Sequence, residues 1–240
     1  MRTRDVLDGR GRAEGHTTVV ADHRHANEEG AVNIGIVGAG NVGKALGMNW
    51  LTRGHKVSFS YSRDLEKLGS FVRSLGPNAS VGTPAEAAAF GEVVLFSPPW
   101  PAAQEALRAA GPLQGKILID CTNPLKPDLS GLAVGHTTSA AEEVARWAAG
   151  ARVVKAFNTT GADNMANPQF GSERASMFIC GDDASAKGVV AGLATDAGFE
   201  VVDAGRLASA RMLEPLAMLW IHLAYAQGLG TGFAFKLLRR

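Results

Sequence analysis

The segment "NIGIVGAGNVGKAL", residues 33–46, decides the fold of this 240-residue chain. It starts as a short apolar run, passes through three spaced glycines and continues into a stretch with helical character. Gly38 permits a tight turn, Gly40 lets the backbone approach a pyrophosphate, and Gly43 lets the helix pack close to the strand. The segment therefore predicts a strand, a phosphate-binding turn and a helix whose N-terminal N–H groups face an anion.

The residues after the second predicted strand indicate which dinucleotide binds. Domains that bind NAD carry an acid at this point, about 20 residues past the glycines, where it accepts hydrogen bonds from the ribose hydroxyls. Here the sequence reads Ser62, Arg63, Asp64. Ser62 can donate a hydrogen bond to a 2′-phosphate and Arg63 can pair with its charge, whereas Asp64 suits the start of the next helix. The pattern predicts NADP(H) as the cofactor; the alternative is that Arg63 is an ordinary solvated residue.

Short apolar runs alternate with alanine-rich stretches along the rest of the chain. Such runs are typical of parallel strands that are buried on both faces and covered by helices. We therefore predict an α/β fold of the Rossmann type, a doubly wound, mainly parallel sheet with a short helical C-terminal appendage. The predicted strands are NIGIV (33–37), KVSFS (56–60), EVVLFS (92–97), KILID (116–120), RVVKAF (152–157), SMFIC (176–180) and FEVVD (199–203), and the predicted helices lie near residues 42–52, 65–75, 102–110, 140–149 and 184–197.

Three helix starts carry recognisable capping residues. Thr83 precedes a first-turn proline, Pro84. Ser139 followed by Glu142 forms a capping-box pattern, and Asp183 is placed to cap the helix that follows it. These signals support the helices and are silent on function.

Composition excludes several classes of partner and site. A formal net charge of +1 provides no basic surface of the kind that nucleic acid requires. Cys121 and Cys180 are too few for a disulfide framework and lack metal-ligand spacing, so we predict buried, inert thiols and no metal site. The most apolar stretch, residues 213–230, is interrupted by His222 and Gln227 and falls short of the ~20 apolar residues of a membrane span. We predict no membrane contact and a cytoplasmic location.

The chain divides into three predicted parts. Residues 1–31 are charged throughout and low in hydrophobicity, which predicts a disordered N-terminal extension. Residues 32–206 form the NADP-binding Rossmann domain, and residues 207–240 form a C-terminal helical segment. Because that segment is short, the second reactant is expected to bind against the first domain or between subunits. Its wide apolar faces predict contact with a second copy in a homodimer.

A set of separated motifs together resembles one known family. The motifs are "IGIVGAGNVGKAL", "YSRD", "SPPW", "DCTNPL", "VVKAFNT", "FICGDD" and "VVDAGRL". Their order is similar to that of NADPH-dependent coenzyme F420 oxidoreductases and of the cytosolic domain of six-transmembrane metalloreductases, over about residues 33–240. The resemblance implies hydride transfer between the nicotinamide of NADP(H) and a small-molecule redox carrier, which is coenzyme F420 or a flavin.

The resemblance also implies a set of site residues. Gly38, Ala39, Gly40, Asn41 and Val42 would line the pyrophosphate, and Ser62 and Arg63 would hold the 2′-phosphate. The residues expected beside the ribose and nicotinamide are Ser97, Pro98 and Pro99, with Trp100 near the adenine or the pocket wall. The substrate-proximal candidates are Asn123, Ala156, Phe157, Asn158 and Thr159, of which Asn123 and Ala156 would also bind the cofactor. Asn123 lies at a strand end, and an Asn-Pro turn is the alternative explanation for it.

One departure and two alternatives bear on the activity. The archaeal enzymes carry a histidine where this chain has Asn158, which leaves the electron acceptor open. Lys155 is either a catalytic residue or a strand-end lysine that anchors structure. A ferric or flavin reductase is the second enzymatic interpretation, and a non-catalytic NADP-sensing module is the interpretation from another class.

Overall fold

The computed structural model describes residues 30–240, which form ten strands and eight α-helices. The predicted disordered extension, residues 1–31, lies almost wholly outside the described residues. The strands are β1 (Asn33–Val37), β2 (Lys56–Ser60), β3 (Ala79–Val81), β4 (Val93–Phe96), β5 (Ile117–Asp120), β6 (Arg152–Lys155), β7 (Gln169–Phe170), β8 (Glu173–Arg174), β9 (Ser176–Gly181) and β10 (Glu200–Asp203). The helices are α1 (Asn41–Thr52), α2 (Leu65–Arg73), α3 (Pro84–Phe90), α4 (Ala103–Ala110), α5 (Ala140–Trp147), α6 (Ala162–Ala166), α7 (Ala184–Asp196) and α8 (Ala210–Ile221).

Eight strands form one sheet in the order β10-β9-β6-β5-β4-β1-β2-β3. Neighbouring strands are parallel throughout, except that β6 and β9 are antiparallel. This confirms the predicted doubly wound, mainly parallel sheet. The strand order reverses between β1 and β4, and in such sheets ligands bind in the crevice outside the carboxyl ends of the strands at that point.

Both faces of the sheet are covered, which explains the continuous apolar character of the central strands. On β4, Val93 and Leu95 belong to one hydrophobic cluster, whereas Val94 and Phe96 belong to a second cluster. Successive side chains of a strand point to opposite faces, so the two clusters are the two layers between sheet and helices. Trp50 on α1 anchors the first layer, where its indole N–H donates to the Leu193 carbonyl on α7 at 2.9 Å.

The three predicted N-caps are confirmed, but the reciprocal capping box forms at Thr83 and not at Ser139, where the Glu142 carboxylate accepts from the Ser139 hydroxyl. Thr83 and Glu86 form a reciprocal capping box at the start of α3, with Pro84 in its first turn. Ser139 accepts a hydrogen bond from the Glu142 N–H at the start of α5, and Asp183 accepts one from Ala186 at the start of α7. Strand β3, helix α6 and the β7–β8 hairpin are additional elements that the apolar periodicity did not predict.

The C-terminal prediction needs a correction, because the helical part ends before the chain does. Helix α8 continues as a π-helical turn over His222–Ala226, and residues 227–240 contain neither helix nor strand. Gly228 and Gly230 adopt φ values of 70° and 72°, a conformation that ends a helix at little cost for glycine. This C-terminal tail then folds back, with the Trp220 ring stacked on Phe233 at 5.3 Å and its N–H donating to the Phe233 carbonyl.

The tail is attached to the Rossmann domain instead of forming a separate unit. The Ser176 N–H on β9 donates to the Phe235 carbonyl at 3.0 Å, and the Leu237 N–H donates to Ser176 Oγ at 3.0 Å. Asn164 on α6 donates to the Phe233 carbonyl at 2.7 Å. Within residues 30–240, no helix is both long enough and apolar enough to cross a membrane.

The two cysteines lie in the core, as predicted. Cys121 and Cys180 are free and buried. Burial raises the pKa of the Cys180 thiol to about 12, and burial together with the Asp120 charge raises that of Cys121 well above its usual value. Both shifts disfavour the thiolate, which agrees with the predicted inert role of the two thiols.

Candidate functional site

The turn between β1 and α1 is held tightly against two neighbouring strand ends. The Gly38 and Ala39 N–H groups both donate to the Ser60 carbonyl at the end of β2, at 3.2 and 2.9 Å. Ser97, directly after β4, donates its hydroxyl to the Gly38 carbonyl at 2.8 Å. Gly38 has φ of 114°, and a Cβ atom there would lie 2.5 Å from the Ser97 carbonyl carbon. Only glycine fits this position.

The start of α1 is arranged to receive an anion. No side chain caps the helix, and no acidic residue lies in its first turn, so its free N–H groups keep their positive character. A Cβ atom on Gly40 would meet nothing within 4 Å, whereas one on Gly43 would lie 2.5 Å from the Gly38 carbonyl oxygen. Space at Gly40 and close packing at Gly43 fit a pyrophosphate at this helix end, beside Asn41 and Val42.

After the end of β2, Asp64 and Arg63 have different roles. Asp64 caps α2 by accepting a hydrogen bond from the Lys67 N–H at 2.9 Å, as the sequence predicted. Ser62 Oγ contacts the Asp64 backbone. Arg63 is exposed, and in the described part of the chain no carboxylate pairs with it. Since Asp64 is engaged by its own helix, Arg63 is the charged side chain at this strand end that remains for a phosphate.

The segment after β4 forms the next part of the same edge. Ser97, Pro98 and Pro99 follow the last residue of the strand, with Pro98 buried and Pro99 exposed. Trp100 stacks on Trp147 of α5 with ring centroids 5.3 Å apart. The partner of Trp100 is therefore a side chain of the protein, and the predicted contact with adenine stays a prediction.

Two asparagines meet where β5 and β6 end. Asn123 donates to the Asn158 backbone carbonyl at 2.9 Å, and the Asn158 side-chain nitrogen donates to Asn123 Oδ1 at 3.1 Å. The same nitrogen donates to the Leu213 carbonyl on α8 at 3.2 Å. Asn158 is buried, while Asn123 is half-buried. The structure thus brings together two residues that the sequence placed separately near the substrate.

The neighbours of Asn158 are not all directed at the site. Phe157 has a φ of 60°, and its ring packs edge-on against Trp50 and Phe199 in the core. Its side chain belongs to the hydrophobic layer, so only its backbone can border a ligand. Ala156 and Thr159 are also buried. A non-glycine residue in this left-handed conformation is strained, which is a recurrent feature of functional sites.

A buried ion network lies directly beside the asparagine pair. The Lys155 ammonium lies 2.9 Å from Asp120 Oδ2 and 2.9 Å from Glu214 Oε1, and it also donates to the Thr122 carbonyl. The exposed fractions of the Lys155, Asp120 and Glu214 side chains are 0%, 0% and 1%. The network therefore joins β5, β6 and α8 without contact with water.

Each carboxylate of the network has further donors. Asp120 Oδ1 accepts from the Thr122 N–H and hydroxyl at 2.9 and 2.8 Å. Glu214 accepts from the N–H groups of Ala140 and Ala141 at the start of α5, at 2.9 and 3.1 Å. These bonds satisfy the charges that burial would otherwise make costly.

The pKa shifts follow from burial and mutual attraction. Burial favours the neutral amine of Lys155, but the adjacent Asp120 and Glu214 charges outweigh it and raise the pKa of Lys155 above its usual value. Burial raises the pKa of the Glu214 carboxyl, against the opposing effects of Lys155 and the Ala140 N–H. Lys155 thus stays protonated across the neutral range. It acts as an anchor, which favours the structural alternative for this residue.

Sequence reasoning missed Asp120 and Glu214, although a signal was present. Asp120 and Lys155 end two apolar runs and are register partners on adjacent parallel strands. Glu214 is an acid within the apolar residues of α8. Charged residues at the matching ends of neighbouring buried strands predict an ion pair, once the strand order is known.

The comparisons with known proteins agree with this geometry. The family model described as NADP oxidoreductase coenzyme F420-dependent matches residues 33–124. The F420-dependent NADP reductase of Methanothermobacter marburgensis is 31% identical over 201 residues, covering 78% of this chain and 89% of that protein. The chain belongs to this family. It is an NADP-dependent oxidoreductase with the Rossmann-type fold described above.

Two further proteins are similar to this chain. A solved structure from Arthrobacter sp. FB24, assigned by its name to the F420-dependent NADP reductases, has 32% identity and a TM-score of 0.78, and covers 87% of this chain and 100% of that chain. The metalloreductase STEAP3 of Rattus norvegicus is 33% identical over 192 residues, which cover 79% of this chain. The alignment spans 37% of the rat protein's own length.

Replacement of Lys155 tests the anchoring role. Lys155→Met leaves Asp120 and Glu214 buried without their cation, so we expect the free energy of unfolding in urea to fall by about 3–5 kcal/mol. Lys187→Met, which breaks a half-exposed pair with Asp203, is the matched control and should cost about 1 kcal/mol or less. Equal losses in the two variants would contradict the role of the network.

Proposed function

We propose that the protein transfers a hydride between NADP(H) and a deazaflavin, coenzyme F420, or a flavin-type carrier. The observation that carries the proposal is the placement of the glycine turn, Arg63 and the Asn123–Asn158 pair at the carboxyl edge of one sheet. Substrate and cofactor sites of doubly wound folds lie at this edge. The likeness to the F420-dependent NADP reductase of M. marburgensis supports the same substrates.

Hydride transfer requires mainly that the protein holds the two reacting rings in the correct relative position. When bound, the nicotinamide supplies or receives the hydride. The chain binds the pyrophosphate at the start of α1, holds the 2′-phosphate with Ser62 and Arg63, and orients the two rings beside Asn158. Such a reaction depends on orientation and exclusion of water more than on a strong acid, so a site formed by amide side chains, backbone and apolar residues suits it.

Two other functions make distinct predictions. A ferric or flavin reductase agrees with the STEAP3 likeness, although the match spans only 37% of that protein. A non-catalytic NADP-sensing module would bind the cofactor and oxidise it with no carrier. The structure favours chemistry over sensing because a strained residue, Phe157, and a polar pair lie together at the strand ends.

The choice of acceptor is tested by following NADPH absorbance with F420, FMN, FAD or no acceptor in parallel reactions. We expect oxidation that depends on an added F420 or flavin, with the identity of the carrier given by the largest kcat/KM. A ferric chelate that is reduced only when flavin is also present would assign the ferric reductase activity. Cofactor binding with no turnover by any carrier would contradict the proposal and favour the sensor.

The preference for NADP(H) over NAD(H) depends on Arg63. Removing its charge-assisted hydrogen bonds costs about 1.5–3 kcal/mol, so Arg63→Ala should weaken NADPH binding roughly 10- to 100-fold and leave NADH binding nearly unchanged. Arg73→Ala, an exposed arginine at the other end of α2, is the matched control. Dissociation constants from fluorescence titration measure both effects, and equal losses for the two cofactors would exclude a 2′-phosphate contact.

A homodimer remains a proposal, with the face of α8 as its contact. The exposed apolar residues of α8 and the adjoining turn include Met212, Leu219, Tyr225 and Leu229, at 65%, 47%, 62% and 63% exposure. Apolar surface of this kind commonly marks an interface, and two copies can pair through one such face. The predicted cytoplasmic location stays a prediction.

The dimer is tested by light scattering after size exclusion. Wild-type protein should have twice the mass of one chain, and Leu219→Glu should shift it towards the monomer because it places a charge in the contact. Val189→Glu, at an exposed apolar position on α7, is the control and should stay dimeric. A wild-type protein that is monomeric at all concentrations would refute the proposed contact.

A further inference from the structure

The side-chain oxygen of Asn158 has an unmet hydrogen-bonding requirement. Among the buried side-chain nitrogen and oxygen atoms of the described residues, Asn158 Oδ1 lacks any hydrogen-bond partner. The residue is 4% exposed. A buried acceptor without a donor costs free energy, and such an atom in a native fold calls for an explanation, such as backbone strain, a catalytic role or a bound water or ion.

The orientation of this amide is fixed by its surroundings. The Asn158 nitrogen faces two acceptors, Asn123 Oδ1 at 3.1 Å and the Leu213 carbonyl at 3.2 Å. Asn123 is fixed in turn, because its nitrogen donates to the Asn158 backbone carbonyl at 2.9 Å. Turning either amide over would bring two acceptors together. The oxygen of Asn158 is therefore the atom left without a partner.

The two acceptors that the Asn158 nitrogen contacts have other sources of hydrogen bonds. Leu213 lies within α8, where its carbonyl also receives the regular helical hydrogen bond, and Asn123 is half-exposed to solvent. A leucine at position 158 would remove the unpaired acceptor. The Leu213 carbonyl would keep its helical hydrogen bond, and Asn123 Oδ1 could accept one from water. The unpaired oxygen of Asn158 lowers the stability of the free protein, and it lies beside the proposed ligand site. A hydrogen bond from a bound ligand would account for both facts.

We propose that Asn158 Oδ1 accepts a hydrogen bond from a planar N–H donor on one of the two reacting heterocycles. The donor is either the carboxamide of the nicotinamide or a ring N–H of the carrier. This inference rests on the proposed function and adds a specificity-determining contact to it. Since the oxygen is buried in the free chain, the proposal requires that ligand binding exposes it while the hydrogen bonds of the Asn158 nitrogen hold the amide in place.

The test compares Asn158→Leu with wild type in binding NADP⁺ and its 3-acetylpyridine analogue, which carries a methyl ketone and no N–H donor. If the carboxamide is the donor, the wild type binds NADP⁺ about tenfold more tightly than the analogue, and Asn158→Leu abolishes that preference. If the carrier is the donor, both dissociation constants stay unchanged, and the KM for the carrier rises about tenfold. Either result supports the contact.

Thermal unfolding of the free protein separates a ligand contact from a structural role. We expect Asn158→Leu to unfold at the wild-type temperature or higher. Asn49→Leu, which removes a structural hydrogen bond to the Met165 carbonyl, is the matched control and should lower the unfolding temperature with both dissociation constants unchanged.

Two outcomes would count against the account, and they differ. If Asn158→Leu keeps wild-type constants for both cofactors and for the carrier, the inference fails while the proposed function stands. A marked drop in unfolding temperature for Asn158→Leu, with unchanged constants, would assign the residue to structure and also overturn the inference. If the wild type does not bind NADP⁺ at all, the proposed function itself fails.

Discussion

The contact between the β1–α1 turn and the end of β4 is the constraint on which the rest of the site depends. A Cβ atom at Gly38 would lie 2.5 Å from the Ser97 carbonyl carbon, and one at Gly43 would lie 2.5 Å from the Gly38 carbonyl oxygen. The turn can therefore pass between strand and helix only with glycine at positions 38 and 43. Its N–H groups at positions 38 and 39 bind Ser60, which ties the end of β2 to the same place. Three strand ends are thereby fixed at one edge, and the phosphate and ring contacts proposed above follow from that placement.

The buried ion network of Lys155, Asp120 and Glu214 fixes the ends of β5 and β6 and helix α8 beside the Asn123–Asn158 pair. Lys155 neutralises part of the charge of Asp120 and Glu214, and the start of α5 supplies two N–H groups to Glu214. Since Glu214 follows Leu213, the network that holds α8 also sets the carbonyl that accepts from Asn158. A change in the network would thus alter both the docking of α8 and the polar pair at the strand ends. Because the fold shields the three groups from water, removing one partner leaves a buried charge uncompensated, which is more costly than losing a surface pair.

The sequence predicted the elements whose local chemistry is decisive. The glycine spacing, the apolar central strands and the caps at Thr83, Ser139 and Asp183 each carry their own physical reason, and all were confirmed. Strand β3 was missed because it is only three residues long and two of them are exposed, so it has no apolar run. The prediction of helix after Ala226 was wrong. The glycines of the tail end the helix, and its aromatic residues pack against Trp220 and against one another.

The parts of the site that depend on long-range pairing could not be read from the chain. The partners of Lys155 lie 35 and 59 positions away in sequence, and they become apparent only when β5 and β6 are aligned and α8 is docked. Phe157 was expected at the substrate together with its neighbours, but its left-handed backbone directs the ring into the core. The unmet acceptor of Asn158 depends on the fixed orientation of two amides, which no sequence pattern specifies.

A crystal structure with NADP⁺ bound would test the central claim most directly. The account predicts the pyrophosphate at the start of α1 beside Gly40, the 2′-phosphate in contact with Ser62 and Arg63, and the nicotinamide ring beside Asn158. A cofactor that binds with its 2′-phosphate in solvent, or with its nicotinamide away from the ends of β5 and β6, would contradict the account.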